Sequence, residues 1–247
     1  MLDIIYFDNI ESTNTYALSN IDSLLDRQVI VSWQQTNGRG RLGRTWVSDN
    51  PNNIYMTIVL KPENMLKQDS PLQNITQYMS VIVAEVVDVY LEDVEKTSQI
   101  KWPNDILVDG KKVSGILAES VVQGSCLKGY VLGVGINLNM ELSEVKEIDK
   151  PADSLSLILN KKIERNLFLE KLLEKFFENY DSFLEEGFLK IRKSYRIRAF
   201  CMGKRIKINT VNDEFEALVT EILDDGQLQV RLDSGEIKNI NIGEIIC

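Results

Sequence analysis

Apolar positions recur along the chain with two periods, and the switches between them divide it. Residues 3–7 (Asp-Ile-Ile-Tyr-Phe) predict a short strand. Ser12, Thr13 and Asn14 then precede a brief helical stretch at 15–18 that Ser12 or Thr13 can cap; the same hydroxyls and amide can also face a polar ligand head group. Residues 28–34 and 54–60 are apolar runs of strand length, the second followed by a break at Pro62. Ser70-Pro71 opens a long helix whose Ile75, Met79, Ile82, Val83, Val86, Val87 and Tyr90 share one core-packing stripe. Between 100 and 139 three strands are expected. Those at 106–108 and 113–122 are joined by Asp109-Gly110, a strong hairpin signal, and the one at 128–139 follows a turn at Gln123-Gly124-Ser125. Residues 140–152 are polar, acidic and aperiodic, which predicts a surface loop.

From 154 to about 198 the helical period returns. Leu167, Phe168, Leu172, Phe176 and Tyr180 form one stripe, and Phe183, Leu184 and Phe188 carry it into a second helix. After Met202-Gly203 short alternating strands (204–208, 215–222, 228–232 and 236–241) are separated by turns at Asn212-Asp213, Asp224-Asp225-Gly226 and Asp233-Ser234-Gly235. That change predicts a small β-barrel appended to an α/β domain, with domains at 1–198 and 199–247.

Composition removes several classes of chemistry. The 247 residues are 44% hydrophobic, enough for a full core, and no run of eighteen apolar residues predicts a membrane span. Met1-Leu2-Asp3 begins no signal peptide, and three scattered cysteines (Cys126, Cys201, Cys247) fit a reducing, cytoplasmic setting rather than a disulfide framework. Histidine is absent, so Ser-His and Cys-His nucleophiles and His-based metal sites are excluded. A net charge of −9 argues against broad nucleic-acid binding.

Against that acidic average, residues 38–44 read Gly-Arg-Gly-Arg-Leu-Gly-Arg. Glycines let the backbone approach a ligand, and guanidinium forks match phosphate and carboxylate oxygens, so an anion-holding loop is expected. Gly38, Gly40 and Gly43 also fit the dinucleotide fingerprint formally. That fingerprint needs a helix starting at the loop, whereas a turn cluster at 48–53 and then a strand follow here. Further polar groups gather near strand ends: Lys101 with Asn104 and Asp105, Lys111 with Lys112, and Asn137 after Gly133-Val134-Gly135. Such a set suits a carboxylate and a nucleotide held side by side. Two anions at about 4 Å repel by several kcal/mol in a partly buried site, and cations around both relieve the repulsion and stabilise charge at an attacked phosphate. This is the logic of adenylating a carboxylic acid. A second basic run, Lys190, Arg192, Lys193, Arg196 and Arg198, is expected as a solvated helix face or linker, or else as a docking surface for an acidic partner.

Taken jointly, the motifs resemble the biotin protein ligases. The resemblance rests on Ser12-Thr13-Asn14, Gln35 with Gly38–Arg44 and Trp46, KWPNDI (101–106), KVSGILAE (112–119) and GVGINLN (133–139), in the family's order across nearly the whole chain. It implies an α+β or α/β fold: a mixed β-sheet flanked by helices, class II synthetase-like, with an SH3-like C-terminal domain. It also implies the monofunctional type, with no winged helix and no sequence-specific DNA binding. The implied reaction activates biotin with ATP to biotinyl-5′-AMP, then transfers biotin to a lysine of a biotin carboxyl carrier domain. Carried over by position, Ser12, Thr13, Asn14, Gln35, Gly38, Arg39, Gly40, Arg41, Lys112 and Gly115 surround biotin. Arg41, Arg44, Trp46, Asn104, Asp105, Lys112 and Asn137 line the nucleotide side. Lys112 and Arg41 are expected to act on the anions, and Asp105 to orient or deprotonate the acceptor lysine. Mg²⁺ is expected to arrive with ATP, with no dedicated metal site on the protein. The loop at 38–44 becomes a lid over the adenylate. The 140–152 loop is unusually acidic for the family (Glu141, Glu144, Glu147, Asp149). Lipoate or octanoyl ligases of the same superfamily, and a non-catalytic biotin sensor, are the alternatives. The oligomeric expectation is a monomer or a weak sheet-edge homodimer.

Overall fold

Ile-Tyr-Met-Thr-Ile-Val-Leu at Ile54–Leu60 is buried at all seven positions, which requires cover on both faces of its sheet. The computed structural model, which describes residues 3–61, 71–124, 126–210 and 213–246, supplies that cover. Pro62, Ser70, Ser125, Asn212 and Cys247, on which sequence expectations fell, lie outside the described residues. Seven strands form the main sheet: β1 (Ile4–Ile10), β2 (Val29–Gln35), β3 (Ile54–Leu60), β4 (Ser98–Lys101), β5 (Asp105–Val108), β6 (Lys111–Gln123) and β7 (Cys126–Ile136). Their order is β1-β2-β3-β7-β6-β5-β4, parallel only between β1 and β2. The mixed sheet therefore carries two crossovers, one between the parallel neighbours through α1 (Thr13–Ser19) and one that takes the chain from β3 to β4 at the far edge, and all its other neighbours are antiparallel.

Period-two alternation sorts the strand residues between two unequal layers. Even-numbered Ile54, Met56, Ile58, Leu132, Val134 and Ile136 point into the large core, with α2 (Ile75–Leu91), α5 (Arg165–Glu186) and α6 (Phe188–Arg198). Odd-numbered Val59 and Val131 meet Ala17, Ile21, Leu24 and Ile30 in a small cluster under α1. One short helix cannot cover a seven-stranded face. The remainder of that face is where the polar chemistry gathers.

Several expectations are corrected. β1 runs on to Ile10, and α1 begins at Thr13, with the Ser12 side chain accepting from the Thr15 amide. Residues 98–123 hold β4 as an extra strand, too short to show a period of its own. Pro71–Asn74 form a 3-10 turn, and regular helix starts at Ile75. The 140–152 stretch contains α3 (Leu142–Lys146), with a capping box between Glu141 and Glu144, so two of its four acids serve backbone amides. Five residues are too few for a 3.6-residue period to be visible. A short α4 (Leu155–Leu159) ends at Asn160, which adopts φ 50°, so 154–198 is not continuously helical. Leu167 is 46% exposed and leaves the stripe; Leu169 and Leu173 join Phe168, Leu172 and Phe176 instead. The hairpin at Asp109-Gly110 forms as expected, with positive φ at both residues.

The C-terminal strands β8 (Arg205–Asn209), β9 (Glu214–Ile222), β10 (Leu228–Arg231), β11 (Ile237–Ile240) and β12 (Glu244–Ile246) form a second antiparallel sheet, one strand more than the alternation predicts. The basic run is neither a bare solvated face nor an open docking surface. Arg192 and Arg196 pair with Asp224, Arg196 also with Glu221, and Arg198 with Asp88 on α2. Arg196 Nε also donates to the Ile222 carbonyl. Asn74, Gln77 and Trp102 donate to the backbone of Asp225 and Gly226. The second sheet is thereby fixed against α2 and α6.

Candidate functional site

Strand register builds the site's floor. Thr57 on β3 lies opposite Gly133 on β7, and Gly135 opposite Gly115 on β6, all on the α1 side. A Cβ at Gly133 would overlap the Asn14 carboxamide, and one at Gly135 the Trp46 indole. One at Gly115 would lie 2.9 Å from Trp46 and from Lys112 Nζ. Glycine is required here for close approach, as at sites where a ligand meets a strand backbone.

At one end of this floor the start of α1 and the end of β2 converge. Ser12, Thr13, Asn14 and Gln35 are all buried. Gln35 Oε1 accepts from the Thr13 amide at 2.8 Å and from Thr13 Oγ1 at 3.1 Å, while Gln35 Nε2 donates to Ser48 Oγ at 2.9 Å. Thr57 Oγ1 shares its single proton between Asn14 Oδ1 at 2.6 Å and Thr13 Oγ1 at 2.8 Å. Asn14 Nδ2 donates to Glu119 Oε2 at 2.9 Å and to the Leu117 carbonyl at 3.3 Å. This end is dense in hydrogen-bonding groups and carries no unpaired charge.

The other end holds the cations. Lys112 Nζ lies 2.6 Å from Asp105 Oδ1 and 5.1 Å from the centre of the Trp46 ring, whose buried indole N–H has no hydrogen-bond partner among the described residues. Asn137, one step beyond β7, donates to the Lys112 and Asp153 carbonyls, so it braces the Lys112 backbone.

The 38–46 segment folds back on itself. The Trp46 amide donates to the Gly38 carbonyl and the Gly40 amide to the Arg44 carbonyl; Arg41–Gly43 form one 3-10 turn, with Leu42 at φ 56° and exposed. Its three arginines reach three different elements. Arg39 pairs with Glu119 at 2.7 Å, Arg44 pairs with Glu244 of the C-terminal sheet, and Arg41 donates to Asn104 Oδ1 at 2.9 Å and the Gly243 carbonyl at 3.1 Å. Among the described residues only Arg41, of the three, hydrogen-bonds neutral partners alone. Burial pushes its pKa down, partly offset by the more distant Asp105 and Glu244 carboxylates. Its charge is the one left available to an incoming anion. An open cleft of about 390 Å³ lies between this segment and the start of α1, bordered by Glu11, Thr15, Asn37 and Arg39. That is within the size range of small-molecule sites.

Most of the residues expected at the site thus meet around one sheet face, from the start of α1, the strand ends and the 38–46 loop, whereas the Asn137 side chain is spent on the Lys112 and Asp153 carbonyls. Sequence reasoning missed Thr57, Glu119, Ser48 and the Gly243-Glu244 pair. The one aliphatic hydroxyl inside the apolar Ile54–Leu60 run was the available signal for Thr57, and period-two spacing from Gly115 was the signal for Glu119. Nothing local marks Glu244, which arrives from two hundred residues away. Among the described residues no three His, Cys, Asp or Glu side chains group to hold a metal ion. No described helix is long and apolar enough to cross a membrane.

Comparison with known proteins agrees with this geometry. The model of the biotin/lipoate A/B protein ligase family matches residues 6–137, and that of the biotin protein ligase C-terminal domain matches 202–247. The bifunctional ligase/repressor BirA of Bacillus subtilis is 32% identical over 245 residues, 98% of this chain and 73% of the relative. A biotin–[acetyl-CoA-carboxylase] ligase of Paracoccus denitrificans is 29% identical over 91% of this chain and 92% of its own. The solved structure of a biotin protein ligase from Aquifex aeolicus, in complex with biotin and ATP, aligns at a TM-score of 0.80 and 26% identity, covering 100% of this chain and 98% of that one. The chain belongs to the biotin/lipoate A/B protein ligase family.

Proposed function

We infer that this protein is an ATP-dependent biotin–protein ligase. The observation that carries the reading is the polarity of the site: a neutral, hydrogen-bonding end at Thr13 and Gln35, a glycine floor, then Lys112 and Arg41. Biotin has the same polarity, with an uncharged ureido ring at one end and a carboxylate at the other. Ser12, Thr13 and Gln35 would take the ring, with Asn14, Gly38, Arg39 and Gly40 around it. Lys112 and Arg41 would receive the carboxylate and the ATP α-phosphate. Trp46, Arg44, Asn104 and Asn137 would border the nucleotide.

In the first step a biotin carboxylate oxygen attacks the α-phosphorus and the bond to the β-phosphate breaks. Biotinyl-5′-AMP forms and Mg-pyrophosphate leaves. The two cations reduce the repulsion between the reacting anions and stabilise the charge gathering on the phosphate. In the second step the acceptor lysine nitrogen attacks the acyl carbon, AMP leaves, and a proton must be accepted from the amine. Asp105 would take that proton, a reading supported by its position beside Lys112. Its ion pair with Lys112 at 2.6 Å becomes exchangeable once Lys112 has a substrate anion to bind. Residues 38–46 would act as a lid that shields the anhydride from water. We place the division of labour at residues 1–198 for substrate binding and catalysis and 199–247 for support of the loop. The acceptor is a biotin carboxyl carrier domain, met in the cytoplasm.

The family's name also covers lipoate. Its dithiolane ring has no hydrogen-bonding groups and would leave the Ser12, Thr13 and Gln35 cluster unanswered, a mismatch that discriminates strongly in buried sites. Incubation with Mg-ATP, biotin and a purified carrier domain tests the reading. Intact-mass spectrometry should show one biotinyl group added, and pyrophosphate release should require biotin and not respond to lipoate. An unmodified carrier despite biotin-dependent pyrophosphate release would leave an adenylating protein without transfer. No adduct and no pyrophosphate would sink the ligase reading altogether.

A further inference from the structure

We propose that Glu119 is a positioning residue for biotin, fixing the ring-binding end of the site by holding Arg39 of the loop and Asn14 of α1 at once. This rests on the ligase reading above and adds a residue to it.

Glu119 lies on β6, four residues after Gly115 and on the same face. Its two oxygens are divided. Oε1 accepts from Arg39 Nη2 at 2.7 Å, and Oε2 from Asn14 Nδ2 at 2.9 Å. From there the hydrogen bonds continue without a gap, from Asn14 to Thr57, Thr13 and Gln35, then to Ser48, whose hydroxyl donates to the Trp46 carbonyl at 2.9 Å. The chain begins at Arg39 and ends at Trp46, so both ends of it sit on the loop that would close over the ligand.

Counting capacity separates what binds from what positions. Asn14 uses both amide hydrogens, on Glu119 and the Leu117 carbonyl, and its oxygen accepts from Thr57. It has little left to offer a ligand. Gln35 retains one amide hydrogen, since only one is used on Ser48. The Ser12 hydroxyl accepts from the Thr15 amide and keeps its own proton. The free donors at the ring end are therefore those of Ser12 and Gln35; Thr13, whose amide and hydroxyl both donate to Gln35 and whose oxygen accepts from Thr57, keeps only one lone pair for the ring, and Asn14 transmits the anchoring of Glu119. The charge balance points the same way. Glu119 neutralises Arg39 beside the uncharged end of biotin, so the site's free positive charge is confined to the end that meets anions. Without the carboxylate, a bare guanidinium would compete for biotin's carboxylate in the wrong orientation.

The test is steady-state pyrophosphate release by the full chain, with biotin varied at saturating Mg-ATP. Glu119→Gln keeps size and removes the charge, and its amide nitrogen must face one of the two donors. It should raise KM for biotin at least tenfold while kcat and KM for ATP stay within twofold. Because Asn14 acts through Glu119, adding Asn14→Ala to Glu119→Gln should leave KM near that of the more impaired single variant. Thr57→Val, which keeps shape and cuts the link from Asn14 to Thr13, should also raise KM for biotin, and it carries the test if Glu119→Gln does not fold. A folded Glu119→Gln with KM for biotin within twofold of wild type overturns the proposal. So do single effects that multiply in the double variant, or an unchanged KM in Thr57→Val. Wild-type protein that releases no pyrophosphate with biotin overturns both this proposal and the ligase reading.

Discussion

Removing the Lys112 ammonium separates catalytic from structural contributions more cleanly than any other single change. Lys112→Ala deletes a cation whose Nζ lies 2.6 Å from Asp105, with the two side chains 29% and 21% exposed. An exposed pair contributes about 0–1 kcal/mol, and breaking a buried one costs about 3–5 kcal/mol. This half-buried pair lies between, so a loss of roughly 1–3 kcal/mol of stability is expected. For a chain of this length that corresponds to a fall in Tm of roughly 2–12 °C. The contact with the Trp46 ring is 5.1 Å from its centroid and at a partly exposed site it adds only about 0.5–1 kcal/mol. The catalytic loss is larger. Deleting one preorganised group that stabilises developing charge typically lowers kcat by about 10²–10³, or about 2.7–4 kcal/mol. Biotin-dependent pyrophosphate release should therefore fall at least a hundredfold at a temperature where the melting curve still shows a folded protein. Release within about threefold of wild type, from a variant whose melt confirms folding, would refute the role given to Lys112.

Other consequences can be checked independently. Gly133→Ala places a methyl group against the Asn14 carboxamide; a loss of about 1–3 kcal/mol in a thermal melt and a raised KM for biotin are expected. Burial pushes the Glu244 carboxyl up, but the hydrogen bond from Arg44 and the nearby Arg44, Lys150 and Lys101 charges outweigh it and hold the group below its ordinary 4.5. A depressed folded pKa means that the contribution is present above about pH 4.5 and lost as pH falls below it. Wild-type Tm should accordingly drop more between pH 5 and pH 3.5 than that of Glu244→Gln, and parallel curves would dismiss the linkage. If residues 38–46 form a lid, tryptic cleavage after Arg39, Arg41 and Arg44 should slow several-fold when biotin and Mg-ATP are both present; equal rates with and without them would argue against closure.

Elements whose period outlasts their ends were legible from the chain. The stripe from Ile75 to Tyr90 and the hairpin at Asp109-Gly110 needed no partner to be read, because 3.6-residue spacing and two positive-φ residues are local properties. Three of the shortest elements were not: β4, α3 and β12 hold too few positions to display a period, whereas β5, β8, β10 and β11, just as short, were marked by the turns beside them. Leu167 shows a subtler limit. Its place in an apolar stripe was right to within one residue, and one residue on a helix is 100° of rotation, enough to turn it to solvent.

The arginine loop shows where sequence stopped and folding took over. By itself the chain determined which residue types would carry the chemistry: no histidine, cations and amides at strand ends, glycines where a ligand must approach a backbone. It could not say which cations would be free, since that depends on what lies within about 4 Å in space. Tertiary structure assigned Arg39 to Glu119, eighty residues on, and Arg44 to Glu244, two hundred residues on, and left Arg41 with neutral partners. Residue type sets the charge of each group, and only packing decides whether that charge is already neutralised.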